Sequence, residues 1–205
     1  MAGNEPHIIL GLLNEVQRNN TATQRVIAKN LGVALGLANA YLKRCIKKGY
    51  VKVSEAPANR YAYYLTPSGF AEKARLTADY LTQSFGFFRT ARAHCDAVIA
   101  SSLDRGFSRL ALIGASELGE IMVLCAHGTE VDLVGVIDPA LAGGTLAGMP
   151  VMARREDLPA HDALVVTSLV SAQSVYDDYV GVVGRGRILA PQFLGISVEP
   201  LVLAE

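Results

Sequence analysis

The sequence predicts an α/β chain in two parts. A helix pair with a small β-hairpin comes first, and a parallel sheet with helices on both faces follows. Three observations lead there. Up to about residue 104 the apolar residues recur at helical spacing; beyond residue 109 short apolar strand runs alternate with helical ones. Glycine and proline punctuate the change. Charge divides at a similar place: residues 1–75 hold 11 Lys and Arg against 4 Asp and Glu, a balance of +7, while residues 76–205 hold 8 against 15, a balance of −7. A formal net charge of +0 hides this basic front and acidic back. With 205 residues, 51% of them hydrophobic, the chain can bury a real core and is not disordered.

The front half reads in order. Asn4 as a cap and Pro6 at a first turn open a helix to about Arg18, carrying Ile8, Ile9, Leu12, Leu13 and Val16 inward. Residues 24–30 form a short amphipathic run that Gly32 breaks. A second run, 34–48, closes at Gly49, which suits a C-terminal cap. The β-prone segments 50–53 and 61–65 flank a polar loop at 54–60. Two short helices and a hairpin make a winged helix-turn-helix, a shape that places its second helix in a DNA major groove. A helix then starts at Thr66-Pro-Ser-Gly69, carries Phe70, Ala74, Thr77, Tyr80 and Leu81, and continues through Phe85, Phe87 and Phe88. A further helix at 90–103 carries Ala93, Ala97, Val98 and Ile99. These linking helices hold four of the six phenylalanines. Such a surface serves either a homodimer contact, since one winged helix covers only a half-site, or packing on its own domain.

The back half begins with a strand at 110–113, then Gly114-Ala-Ser-Glu-Leu-Gly119 and a helix to about His127. Strands follow at 131–137, ending on Asp138-Pro139, at 148–152 and at 163–167. A helix at 172–183 and a strand at 187–190 complete the pattern. This is a Rossmann-like parallel sheet. The expected domains are 1–82, a linking and dimerising segment at 83–106, and 107–205.

In the second helix, Ala38, Leu42, Cys45 and Ile46 fall on one buried face, leaving Gly36, Leu37, Asn39, Ala40, Lys43 and Lys47 outward. Asn39 has the donor and acceptor to read an adenine edge; Lys43 and Lys47 suit phosphate or guanine. Ala34 and Gly36 permit close approach to a duplex. Thr23, Gln24 and Arg25 stand at a helix N-terminus, where backbone N–H groups favour a phosphate, and Arg60 in the wing suits the minor groove. Double-stranded DNA is the expected partner. A solvated helix face is the plainer account of any one of these residues.

Residues 23–43, with Lys48-Gly-Tyr-Val51, Tyr63-Tyr-Leu-Thr-Pro-Ser-Gly69 and Ala71-Glu-Lys-Ala-Arg-Leu-Thr77, resemble MarR-type winged-helix regulators, most closely the subgroup associated with bacterial exopolysaccharide gene clusters. The resemblance covers about residues 6–82. It implies a dimeric bacterial transcription regulator on a palindromic operator. That subgroup usually ends soon after this helix, whereas this chain continues for over a hundred residues.

Gly114-Ala-Ser-Glu-Leu-Gly119 lies between a strand and a helix, where a dinucleotide-binding turn belongs. Gly114 makes the tight turn and Gly119 lets helix pack on strand. Ser116 replaces the glycine that would admit a pyrophosphate; it would crowd that approach, or cap the helix and donate to phosphate. Asp138 closes the second strand, where an acid accepts from ribose hydroxyls, and Thr167 and Ser168 follow the fourth strand. With Ala115 and Leu118 these form the candidate nucleotide site; the alternative is a vacant crevice in which the glycines serve packing. The whole layout resembles the redox-sensing repressor Rex, a winged helix joined to an NAD(H)-binding Rossmann domain. Val134-Gly-Val-Ile-Asp-Pro139 and Leu146-Ala-Gly-Met-Pro-Val151 also resemble the nucleotide-binding front domain of sugar acetyltransferases. The resemblances imply NAD(H) or a nucleotide-sugar as ligand, and the choice stays open.

Cys45, Cys95 and Cys125 form no CxxC pair, so a disulfide framework is not expected and a reducing cytoplasm is. Cys125-Ala-His127 and His94 beside Cys95 supply too few ligands for a metal site and read as helix residues; His161 reads as a surface loop residue. No secretory signal or membrane span is expected. No nucleophile elbow, paired-carboxylate site or Walker loop is present, which points to a sensor and not an enzyme. The remaining alternatives are a nicotinamide- or sugar-nucleotide-dependent enzyme with an accessory winged helix, and a regulator whose back domain only dimerises.

Overall fold

A computed structural model describes residues 5–56 and 60–197. Contacts divide the chain into two compact units, one up to Phe85 and one from Gly86.

The first unit opens with α1 (Glu5–Arg18), whose Ile8, Ile9, Leu12, Leu13 and Val16 are all buried. Asn4 lies outside the described residues. Thr23 caps α2 (Gln24–Asn30), its Oγ1 accepting from the Val26 N–H at 3.3 Å. Gly32, at φ +64°, turns the chain into α3 (Leu35–Lys47). α3 buries Ala38, Leu42 and Cys45 against α1, and half-buries Ile46. The hairpin of β1 (Val51–Ala56) and β2 (Arg60–Leu65) pairs Val51 with Leu65 and Ala56 with Arg60. The strands thus extend into what reads as the polar loop 54–60, because cross-strand pairing continues past the point where apolar alternation stops. The wing tip and the Arg60 side chain lie outside the described residues.

Thr66 Oγ1 accepts from the Gly69 N–H at 3.0 Å and donates to the Gly49 carbonyl at 2.5 Å, opening α4 (Pro67–Asp104). Here the structure corrects the expectation of two linking helices: α4 is one helix of 38 residues. No proline follows Pro67 within it; of its two glycines, Gly69 lies in the first turn, and Gly86, in the middle, costs only about 1 kcal/mol. Packing beyond that glycine repays the cost. Phe87 meets Phe193 edge-on at 6.0 Å between ring centres, and Ala91 and Cys95 are fully buried.

The second unit is a six-stranded sheet in the order β5-β6-β4-β3-β7-β8, formed by β3 (Arg109–Ile113), β4 (Asp132–Ile137), β5 (Thr145–Leu146), β6 (Met149–Met152), β7 (Ala163–Val166) and β8 (Ile188–Leu189). All neighbours are parallel except β5, which the reading of residues missed; it returns on β6 through Ala147 and Gly148, both at positive φ. Counting parallel strands in chain order gives 3-2-1-4-5, the doubly wound order, with its reversal between β3 and β7. Alternation sorts the core into two layers. Leu110, Leu112 and Val165 face the C-terminal half of α4 and α5 (Glu117–Ala126). Ala111, Ile113, Leu164 and Val166 face α6 (Ala172–Val183). Gly135 in β4 admits no side chain: a Cβ there would lie 2.5 Å from Leu158.

Candidate nucleic-acid interface and sheet crevice

α3 turns Gly36, Leu37, Ala40, Lys43 and Lys47 outward as its periodicity requires. Arg44 is tied to Glu5 at 2.6 Å, whereas Lys43 and Lys47 have no carboxylate partner among the described residues. Asn39 is half-buried. Its Oδ1 is shielded from solvent and has no hydrogen-bond partner among the described residues.

At the start of α2, Thr23 and Arg25 are exposed and Gln24 is half-buried. Gln24 Nε2 donates to Tyr63 Oη at 3.0 Å, locking α2 to β2. A cleft of about 370 Å³ opens there, lined by Thr23, Gln24, Arg25, Leu35, Tyr61 and Tyr63. The tyrosines were not anticipated: the two-residue spacing in β2 was visible, but its juxtaposition with α2 is a tertiary fact.

In the second unit, Gly114, Ala115, Ser116 and Gly119 meet Asp138, Thr167 and Ser168 at the carboxyl ends of β3, β4 and β7, at the reversal of strand order. The contacts there are dense. Gly114 holds φ +97° and packs so closely on Ser168 that a Cβ would lie 2.7 Å from its side chain. The buried Thr167 hydroxyl lies 2.7 Å from the Gly114 carbonyl and 3.0 Å from that of Ile113. Ser116 accepts from the Leu118 and Gly119 N–H groups as the cap of α5, and donates to the Thr167 carbonyl at 2.5 Å. Asp138 accepts from Ala115 N–H through Oδ2 and from Ala140 N–H through Oδ1. The Leu118 side chain is fully buried in the core. Gly119 packs against β5: a Cβ would lie 2.7 Å from Leu146.

Each Asp138 oxygen keeps a second lone pair, so a ribose hydroxyl fits there. A diphosphate fits less well. Glu117 and Glu120 already occupy the first turn of α5, and none of the candidate crevice residues is cationic. Ser116→Ala is expected to destabilise the second unit by about 1–2 kcal/mol through loss of the cap and the Thr167 bond. An unchanged urea midpoint would show that Ser116 does not link the two turns.

Burial pushes the Cys95 thiol up to about 12 and the Cys125 thiol up to about 11, so both stay protonated at neutral pH. No group of three or more His, Cys, Asp or Glu able to hold a metal occurs among the described residues. No described helix is long and apolar enough to cross a membrane.

Residues 6–52 match the family model for winged helix-turn-helix DNA-binding domains. A search of curated proteins gives no match. Among solved structures the chain is similar to MepR, a transcription regulator of the Staphylococcus aureus multidrug efflux pump MepA, at 22% identity and TM-score 0.33 over 40% of this chain; it spans 62% of the MepR chain. It is also similar to the O-methyltransferase NcsB1 of neocarzinostatin biosynthesis, in complex with S-adenosyl-L-homocysteine, at 13% identity and TM-score 0.36, covering 90% of this chain and 81% of that one. Human N-acetylserotonin methyltransferase follows at 11% identity and TM-score 0.29, with 80% and 68% covered. Likeness at this level does not carry function from those proteins to this one.

Proposed function

We propose that this chain is a homodimeric, cytoplasmic bacterial transcription regulator that reads double-stranded DNA with α3. One observation carries the reading: within a segment matching winged helix-turn-helix DNA-binding domains, α3 presents Lys43 and Lys47 without acidic partners beside the small Gly36 and Ala40. Thr23, Gln24 and Arg25 meet the backbone, Arg60 flanks the groove, and Leu37 offers an apolar contact to thymine. Asn39 is half-buried, and its amide turns outward to meet a base edge on binding. The exposed Phe70, Tyr80, Leu81, Phe85 and Phe88 of α4 support pairing of two copies. Assignment to the exopolysaccharide-associated MarR type and the parallel with Rex rest on sequence resemblance. Selection from a random duplex library is expected to enrich a palindrome whose half-sites lie about 10 base pairs apart or a multiple of that. Enrichment of a single unpaired half-site would contradict the dimer, and no enrichment the regulator.

The crevice at Gly114, Ser116, Asp138 and Thr167 we assign to sensing, with a nucleotide-containing metabolite, NAD(H) or a nucleotide-sugar, as ligand, its ribose held by Asp138 and its diphosphate turned to solvent away from Glu117 and Glu120. Its support is the doubly wound strand order and the acid at the end of β4. The engagement of Ser116, Thr167 and Asp138 with backbone groups favours binding over catalysis. Nucleoside recognition through Asp138 predicts that Asp138→Ala abolishes a melting shift produced by NAD(H) or a uridine diphosphate sugar. An equal shift in that variant would place the ligand elsewhere.

A further inference from the structure

Tyr61 and Tyr63 stand two apart on one face of β2, and both line the cleft at the start of α2. Tyr63 is buried and its hydroxyl accepts from Gln24, which fixes this face of the strand against α2. The backbone adds a second tie, since the Tyr63 N–H donates to the Asn20 carbonyl at 2.8 Å. Tyr61 is different. It is 55% exposed, and its hydroxyl makes no hydrogen bond among the described residues. Arg25 and Thr23 line the same cleft from the side of α2, and both are exposed. Thr23 Oγ1 accepts the Val26 N–H, which leaves its own hydrogen to donate. A guanidinium, a phenol and a threonine hydroxyl are thus gathered on one cleft. Glu55 pairs with Tyr61 across the hairpin but does not line the cleft.

We infer that Tyr61 donates its hydroxyl to a backbone phosphate of bound duplex DNA, which the cleft holds between Tyr61 and Arg25. This rests on the duplex-binding role proposed for α3, and it carries the contact surface from the helices onto β2. Phosphate oxygens only accept, and each of the three gathered groups has a hydrogen to give; arginine, threonine and tyrosine are among the usual donors to DNA phosphates. Tyr63 cannot take this part, because its ring is buried and its hydroxyl is held by Gln24. The phenol also differs in kind from a lysine or arginine. It adds a hydrogen bond without neutralising a phosphate, so it displaces no counterion.

Fluorescence anisotropy of the full chain with a labelled mixed-sequence duplex, across a series of salt concentrations, tests this. Tyr61→Phe keeps the ring and removes only the hydroxyl. It is expected to lower affinity about fivefold and to leave the slope of log affinity against log salt unchanged. Arg25→Gln should lower affinity about tenfold and flatten that slope by about 1. Tyr64→Phe is the control. Tyr64 is 44% exposed in the same strand but on its other face, so affinity should stay as it was. Salt-sensitive binding that survives Tyr61→Phe at full strength would overturn the inference and spare the duplex-binding reading, as would equal losses in Tyr61→Phe and Tyr64→Phe. No salt-sensitive binding by the unaltered protein would overturn both. Each phenylalanine replaces an exposed tyrosine and keeps its ring, so both variants are expected to melt with the unaltered protein.

Discussion

Alanine at both Lys43 and Lys47 is expected to lower affinity for every duplex by about a hundredfold at low salt. Each charge-assisted contact contributes about 1.5 kcal/mol, and 1.4 kcal/mol is a factor of about ten. The slope of log affinity against log salt should flatten by about 2, one phosphate contact per lysine. Arg44→Ala is the internal control. Its guanidinium is drawn to Glu5 at 2.6 Å, so its loss should change affinity far less than either lysine. Asn39→Ala should behave differently again, relaxing discrimination between sequences more than it weakens binding overall. Filter binding on specific and scrambled duplexes separates these cases. If Arg44→Ala matched the lysine pair, α3 would not present the face proposed.

The largest stability effect is expected at Gly114. Its φ of +97° is strained for any other residue, and a Cβ would approach Ser168 to 2.7–2.8 Å at both backbone and side chain. Backbone strain of about 1–2 kcal/mol adds to overpacking of about 1–3 kcal/mol, so Gly114→Ala should cost roughly 2–5 kcal/mol. Gly106→Ala isolates the first contribution: Gly106 has φ +76° but nothing within 4 Å of its Cβ position, so about 1–2 kcal/mol is expected. Urea denaturation followed in the second unit measures both. Equal losses would mean that the turn after β3 does not press on Ser168, and the crevice would be more open than described.

Much of this architecture was legible in the residues. Apolar spacing located the buried face of α1 to the residue, the bounds of α2 and α6, and the strands β3, β4 and β7, because each is governed by local periodicity and by caps such as Thr23 and Ser116. The continuity of α4 was not legible: Gly86 looks like a break until Phe193, more than a hundred residues away, packs on Phe87. The β5–β6 hairpin escaped notice because Thr145 and Leu146 are too few to show alternation and Ala147 takes a positive φ that alanine rarely adopts. The crevice residues were named from the glycine turn and the acid at a strand end. Their mutual hydrogen bonds join positions 23 to 54 apart in sequence, which no local pattern reveals. The cleft beside Tyr61 and Tyr63 is likewise a product of packing.

On the proposed reading, the cationic face of α3 binds duplex DNA through its phosphates. Affinity of the full chain for a mixed-sequence duplex, measured across a series of salt concentrations, tests it most directly. The account predicts a straight decline of log affinity with log salt, losing about 2 in slope when Lys43 and Lys47 become alanine. Binding that ignores salt, or a slope indifferent to those two lysines, would contradict it.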